Sequence, residues 1–547
     1  MNSRRRRPDP VRGSRAGADE ALDMLVAQFA DPLAFLRELV QNSLDASSTR
    51  IDIAFARSDR GVMTVSVTDN GEGMNERIID DYLLTLFSSS RENDLTKIGK
   101  FGVGFVSIFA IEPDLVVVET GQAGEAWRVL FHRDRTYEKL RLDRAVDGTT
   151  VSLHKSGDAA AFAELRERGT AAVRYWCKYV EADLRVDGEP IVEPFGVDAG
   201  LAVLHEVPGT EIAVGFAGLL PPLVGFYNRG LTLVEGAALP HRGADDLAGL
   251  SLRVKSRYLE HTLTRDNILQ DENYDRVIEL VREAVRTRLR PRLAARLEEL
   301  AAALSGPDAV SGEAGAEFAR ALEWAKLPSM QLAREGGLRM LPSLESGPIS
   351  LDQVRAQPKR YEGLVAPEST ALTRLLAERG CPVIKETGAV RDFLRSCGIV
   401  ASAVDAAYYT AAQAPANTTD GALLGAVRSL LDEIGARAEH VHIGDLDYRG
   451  SAVAGRLHVR QRDAFGLSEV EESSERPGLL GGPRQVVLAV RHPLVIACRE
   501  LAASEPQLAA TLLAYAVAAA EEVEPDRRQQ IVARALAWRR AGAEAGA

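Results

Sequence analysis

At 547 residues, with 46% hydrophobic and 26% charged residues, the chain has the balance of an ordinary soluble protein and is too long for one core, so three or four domains are expected. Its net charge of -12 argues against a protein that coats DNA, because neutralising phosphates takes a basic surface. Four scattered cysteines (Cys177, Cys381, Cys397, Cys498) without a CxxC pair argue against a zinc site or disulfide framework and point to a reducing cytoplasm.

Residues 1–16 carry Arg4 to Arg7, Arg12 and Arg15 with no apolar region behind them, which predicts a solvated, disordered arm and no secretory leader. A nucleic-acid or membrane contact is the alternative for this arm. A helix over 19–30 follows, with Leu22, Leu25, Val26 and Phe29 on one stripe. Asp31-Pro32 then opens a helix running to about Ser47. Steps of four and seven residues return to nearly the same direction on a helix, so Glu38, Asn42 and Asp45 share one polar stripe. Leu36, Leu39, Val40 and Leu44 edge it. A polar stripe between apolar flanks suits the wall of a pocket. A glutamate held there can polarise a water attacking a γ-phosphate, and an amide oxygen suits hydrated Mg²⁺.

Ile51–Phe55 and Val62–Val67 alternate with period two about the turn Asp59-Arg60-Gly61, which predicts a hairpin. The turn Asp69-Asn-Gly-Glu-Gly73 follows directly. Its aspartate can accept a bond from an adenine amino group, and its glycines leave room for a purine; alone, such a turn is common. Residues 75–98 predict a helix and a polar lid around Ser88-Ser89-Ser90-Arg91. Gly99-Lys100-Phe101-Gly102-Val103-Gly104 then leads into a helix at Phe105, where backbone N–H groups attract phosphate. Strands are expected at Leu115–Glu119, Trp127–Phe131 and Thr149–Leu153. No GxxxxGK[ST] run occurs, which excludes a P-loop.

Beyond residue 158 the pattern gives a helix near 160–178, strands at 180–186, 210–214, 224–228, 230–234 and 250–255, and a long helix from Tyr274 to about Leu304. Residues 305–317, rich in Gly, Ala and Ser, look like a linker. The last 150 residues end in Ala/Leu-rich helices. Leu508 to Ala520 and Ile531 to Trp538 are apolar enough to need a partner surface, or to pack on their own domain. Gly444-Asp445-Leu446-Asp447 offers paired aspartates that could hold magnesium, but no upstream glutamate is convincing and a strand end is the better reading. His492 before Pro493 reads as a helix-entry residue rather than a base. The apolar run 212–226 is broken by Pro221-Pro222 and too short to span a bilayer.

The order and spacing of these motifs resemble the GHKL, or Bergerat-fold, ATPase superfamily. Arg37-Glu38-Leu-Val-Gln-Asn42-Ser-Leu-Asp45-Ala46 and Phe101-Gly-Val-Gly-Phe-Val-Ser are similar to the ninety-kilodalton heat-shock (HtpG-like) chaperone branch. The resemblance implies Glu38 as general base, Asn42 as magnesium ligand and Asp69 as adenine reader. It places ATP among Asp45, Ala46, Gly71, Gly73, Met74, Ser89, Ser90, Gly99, Lys100, Phe101, Gly102, Val103, Gly104, Phe105 and Thr149. His261-Thr-Leu-Thr-Arg265 is similar to the middle-domain loop whose arginine reaches the γ-phosphate, which makes Arg265 a second catalytic candidate; an exposed loop arginine is its other reading. A lysine usual near the serine run is absent, and Gln270 sits one place off the family's glutamine.

The fold class so implied is a multidomain α+β protein. It comprises an Arg-rich arm (1–16), a Bergerat-fold α/β sandwich binding ATP (17–157) and a transducer-like middle domain (158–305). A linker or extension (306–346), a small distal α/β subdomain (347–400) and an α-rich dimerisation domain (401–547) complete it. The expected activity is ATP hydrolysis with Mg²⁺ in a cytoplasmic homodimeric clamp that acts on client proteins, with neither membrane nor nucleic acid as partner. A DNA-linked GHKL ATPase and a nucleotide-gated binding module without significant hydrolysis are the alternatives.

Overall fold

The computed structural model describes residues 11–13, 31–84, 104–134, 136–217, 221–237, 245–262, 267–310, 312–415, 417–470 and 484–545. The chain divides into two units, Met1–Leu289 and Arg290–Ala547.

The first unit is built on a nine-stranded sheet. The first helix, α1 (Ala34–Asp45), follows a turn in which the Asp31 carboxylate accepts from the backbone N–H of Leu33. It buries Phe35, Leu36, Leu39 and Val40, the apolar flanks of the polar stripe. β2 (Arg50–Arg57) and β3 (Val62–Asp69) form the expected antiparallel hairpin, with Met63, Val65, Val67 and Asp69 alternating inward. β4 (Leu115–Gln122), β5 (Glu125–His132), β6 (Tyr137–Arg141) and β7 (Gly148–Ser156) complete the antiparallel body. A second helix, α2 (Ala159–Cys177), is N-capped by the Asp158 carboxylate and packs beside α1. Phe35, Val40, Ile53, Val65, Phe105, Phe131 and Val173 meet in the core.

Two features of this sheet depart from the local reading. Residues 11–13 lie in the arm expected to be disordered, yet they form β1 (Val11–Gly13), antiparallel to β6. The unpaired backbone groups of an edge strand accept a partner almost regardless of its side chains. At the other edge, β8 (Asp183–Val186) pairs in parallel with β2, and β9 (Glu189–Pro190) pairs with β8. The sheet order is therefore β1-β6-β5-β4-β7-β3-β2-β8-β9. Residues 183–190 thus extend the first sheet, although they follow the change of pattern near residue 158.

A second, five-stranded sheet in the same unit has the order β10-β11-β14-β12-β13, from β10 (Leu201–Val207), β11 (Thr210–Phe216), β12 (Val224–Asn228), β13 (Leu231–Gly236) and β14 (Leu250–Ser256). Helix α3 (Glu272–Ala284) packs on it, with the Phe226 and Tyr274 rings 5.4 Å apart. The Thr232 hydroxyl donates to the Tyr175 carbonyl, tying β13 to the end of α2.

The second unit begins with α4 (Arg290–Leu304) and α5 (Gly312–Ala325). The stretch read as linker is thus helical from residue 312 onward. Phe318, Ala321, Leu322 and Ala325 recur at helical spacing and are buried, a pattern that the Gly/Ala/Ser composition before it hides. A small parallel sheet β16-β15-β17 follows, from β15 (Leu364–Ala366), β16 (Ile384–Lys385) and β17 (Ser402–Ala403). Helices α6 (Ala371–Glu378) and α7 (Gly388–Ser396) lie between its strands in sequence. β18 (Tyr408–Tyr409) pairs with β22 (Ser468–Glu469). A four-stranded sheet, β19-β20-β23-β21, combines β19 (Ala412–Gln413), β20 (Ala438–Asp445), β21 (His458–Gln461) and β23 (Arg484–Ala489). Helices α8 (Asp420–Glu433), α9 (Pro493–Leu501), α10 (Pro506–Ala520) and α11 (Pro525–Ala545) join it in the C-terminal region. The whole is mixed α and β with a helical C-terminal region, as the multidomain α+β expectation has it.

Candidate nucleotide site

The two polar motifs meet where α1 crosses the end of β3. Glu38 is only 6% exposed, and a Cβ built on Gly104 would stand 2.5 Å from its Oε2. The end of the glycine-rich turn therefore lies directly against the carboxylate. Phe105 and Val106 follow into the core, and the Ser107 hydroxyl donates back to the Gly104 carbonyl. One helical turn along α1, Asn42 is half-buried, and its side-chain amide makes no hydrogen bond among the described residues.

Asp69 ends β3 and is 8% exposed. A buried carboxylate needs donors, and this one has three. Ser43 donates to Oδ2 at 2.9 Å, while Ser48 at 3.2 Å and the backbone N–H of Gly71 at 2.8 Å both serve Oδ1. The turn beyond is pinned to α1, because the Glu72 N–H donates to the Ala46 carbonyl. Gly73 has φ +67, and a Cβ there would stand 2.0 Å from the Gly121 carbonyl oxygen, so only glycine fits. The Met74 N–H donates to the Thr120 hydroxyl, which lies 2.9 Å from that of Thr149.

The structure thus gathers Glu38, Asn42, Ala46, Asp69, Gly71, Gly73, Met74, Gly104, Phe105 and Thr149 around α1 and the ends of β3, β4 and β7. Asp45 makes a contact of its own. At the last turn of α1 it forms a 3.1 Å ion pair with Arg229, on the turn between β12 and β13. Arg229 lines a cleft of about 610 Å³ together with Ser48, Thr49, Lys255 and Arg257. Ser89, Ser90, Gly99, Lys100, Phe101, Gly102, Val103 and Arg265 lie outside the described residues, as does the serine run of the expected lid. The residues flanking Arg265 are described: His261 bridges Ile268, and the Thr262 N–H donates to the Asn267 carbonyl.

Ser43, Ser48 and Thr120 were not singled out from the sequence. Thr120 was legible, since it continues the inward alternation Val116–Val118 of β4 with a hydroxyl. Ser43 and Ser48 acquire meaning only through Asp69, 26 and 21 residues away.

The setting of α1 also fixes what the site is not. The Arg37 guanidinium stacks on the Trp176 ring, 4.7 Å from its centroid. Beneath, burial pushes the Cys177 thiol up to about 12, so it is neutral and no nucleophile. No group of three His, Cys, Asp or Glu able to hold a metal occurs among the described residues. A magnesium ion held mostly by substrate phosphates and water needs only one or two protein oxygens, and the uncommitted Asn42 amide fits that need.

The rival polar features resolve into structural roles. Asp445 ends β20, accepts from the Asp447 N–H and pairs with Arg491 at 2.6 Å. Arg449 pairs with Glu368. His492 caps α9, its Nδ1 accepting from the Leu494 N–H. No helix among the described residues is long and apolar enough to cross a membrane.

The candidate site lies within a stretch that matches a known family. The profile of the histidine kinase-, DNA gyrase B-, and HSP90-like ATPases matches residues 33–156. The chain is 34% identical over 185 residues to the chaperone protein HtpG of Roseobacter denitrificans, covering 29% of this chain and 30% of that one. Over 201 residues it is 31% identical to the HtpG of a Methylobacterium strain (31% and 33% covered), and over 176 residues 30% identical to that of Actinobacillus pleuropneumoniae (26% and 28%). The matched stretch spans about 30% of the length of these relatives. Residues 33–156 are therefore a GHKL-type ATPase domain of the histidine kinase, gyrase B and HSP90 family.

Proposed function

We propose that the chain is an ATP-dependent chaperone of the heat-shock ninety type, binding and hydrolysing ATP in a dimeric clamp that acts on client polypeptides. The observation that carries this reading is the buried Glu38 carboxylate set against Gly104, with the open amide of Asn42 one turn away and Asp69 held as an acceptor across the pocket. Asp69 reads the adenine amino group. Gly71, Gly73 and Met74 border the base, and Thr149 reaches the same wall through Thr120. Glu38 orients and deprotonates the attacking water, a role worth about 10²–10⁴ in rate. Asn42 holds Mg²⁺, which neutralises phosphate charge when bound. The resemblance to the heat-shock ninety chaperones assigns Arg265, Ser89, Ser90 and Gly99 to Val103, Lys100 among them, to contacts with the phosphates.

The dimer is supported by α10 and α11. Leu508, Leu512, Tyr515, Val532 and Leu536 are exposed and line an apolar groove of about 500 Å³. The similarity to HtpG together with this groove supports the reading of a cytoplasmic homodimeric clamp that holds unfolded clients.

The deciding experiment compares phosphate release and ATP binding in wild type and Glu38→Ala. Loss of hydrolysis by at least 100-fold with ATP affinity retained supports the reading. Equal background rates in both proteins would mean a nucleotide-gated binding module instead.

A further inference from the structure

We propose that Ser43 and Ser48 are positioning residues that orient the Asp69 carboxylate so that Oδ2 is the atom receiving the purine amino group. This rests on the reading of the site as an ATP pocket and names what makes it selective for 6-aminopurines.

An ionised carboxylate offers about four lone-pair positions, two on each oxygen. Oδ1 of Asp69 is filled by the Ser48 hydroxyl at 3.2 Å and the Gly71 N–H at 2.8 Å. Among the described residues, Oδ2 receives only the Ser43 hydroxyl, at 2.9 Å. One position therefore stays open, and it is on Oδ2. An exocyclic amino group can donate into it. A 6-oxo group brings a second acceptor against the same charge, and an unsubstituted purine leaves the position unused.

Both serines are built into this arrangement. Ser43 is 3% exposed, and its oxygen also lies 3.0 Å from the Leu39 carbonyl, four residues back on α1. The charged acceptor is the stronger of the two, so the hydroxyl proton turns to Asp69. Ser48, 7% exposed, is held close by the turn itself, because a Cβ on Gly71 would stand 2.5 Å from its Oγ. With donors on both oxygens the carboxylate cannot rotate, so no ordering is left for the bound base to impose.

The test is calorimetric binding of ATP and of purine riboside triphosphate, which lacks the amino group, to the full chain. Ser43→Ala is expected to weaken ATP roughly tenfold while leaving the amino-free analogue within about twofold, and Ser43→Thr to restore ATP affinity. Ser48→Ala should show the same selective loss, and decides the matter if Ser43→Ala does not fold. Equal weakening of both nucleotides, or an unchanged ATP affinity, overturns the positioning role while leaving the ATP pocket standing. A wild-type chain that binds neither nucleotide overturns the pocket itself.

Discussion

Cys177, the last residue of α2, lies beneath the Arg37–Glu38 turn of α1 with no exposed surface. Burial raises its thiol from the ordinary 9.0 to about 12, so the folded chain keeps a proton that the unfolded chain releases. Stability from this group is complete below the unfolded value and is lost as pH rises towards the folded one. At pH 10, one unit above 9.0, the difference is about 1.4 kcal/mol. Urea unfolding of wild type and Cys177→Ala at pH 8 and pH 10 should show that much more base sensitivity in wild type. The residues of the candidate site are unevenly legible. Glu38 and Asn42 follow from helical period alone, because four residues make one turn. Thr120 follows from strand period. Ser43 and Ser48 do not, since their task is defined by a carboxylate more than twenty residues away.

Glu521 caps α10 and ties it to β21. Burial opposes its ionisation, but hydrogen bonds from His458 and Arg460 and the charge of Arg460 outweigh that and hold its carboxyl below the usual range. The Arg460 guanidinium also donates to the carbonyls of Ala436 and Arg437, so it is committed whether or not Glu521 is present. Glu521→Gln therefore leaves a buried cation without its anion and should cost about 3 kcal/mol in urea unfolding. The sign of the pH effect follows from the lowered carboxyl. Its contribution is present above the unfolded carboxylate value and disappears as pH falls through the folded one, so the variant should lose less stability than wild type on acidification. At this scale the sequence was read well wherever one periodicity ran through an element, as in α1, α2, β2 and β3. It was read poorly at α5, where composition suggested a linker but Phe318, Ala321, Leu322 and Ala325 keep helical spacing. β1 was missed because three residues carry no period at all.

Exposed apolar side chains on α10 and α11 set the expectation for the assembled molecule. Leu512 and Leu536 both line the groove between these helices, and neither belongs to the core of the C-terminal region. If the proposed dimer forms through this groove, Leu512→Glu with Leu536→Glu should shift it to monomer in sedimentation while leaving nucleotide binding intact. A dimer that survives the double change places the interface elsewhere. The N-terminal domain was legible as a whole because its motifs follow one another within about 120 residues and each has its own local period. From sequence alone came the pocket helix, the hairpin, the carboxylate turn and the kinship with ATPases of this family. Tertiary structure alone decided that β8 and β9 extend the first sheet, that Asp45 pairs with Arg229, and that Ser43 and Ser48 donate to Asp69. The physical reason is range: helical and strand periods are set by neighbours along the chain, whereas parallel pairing, ion pairs and buried hydrogen bonds join residues that only the folded packing brings together.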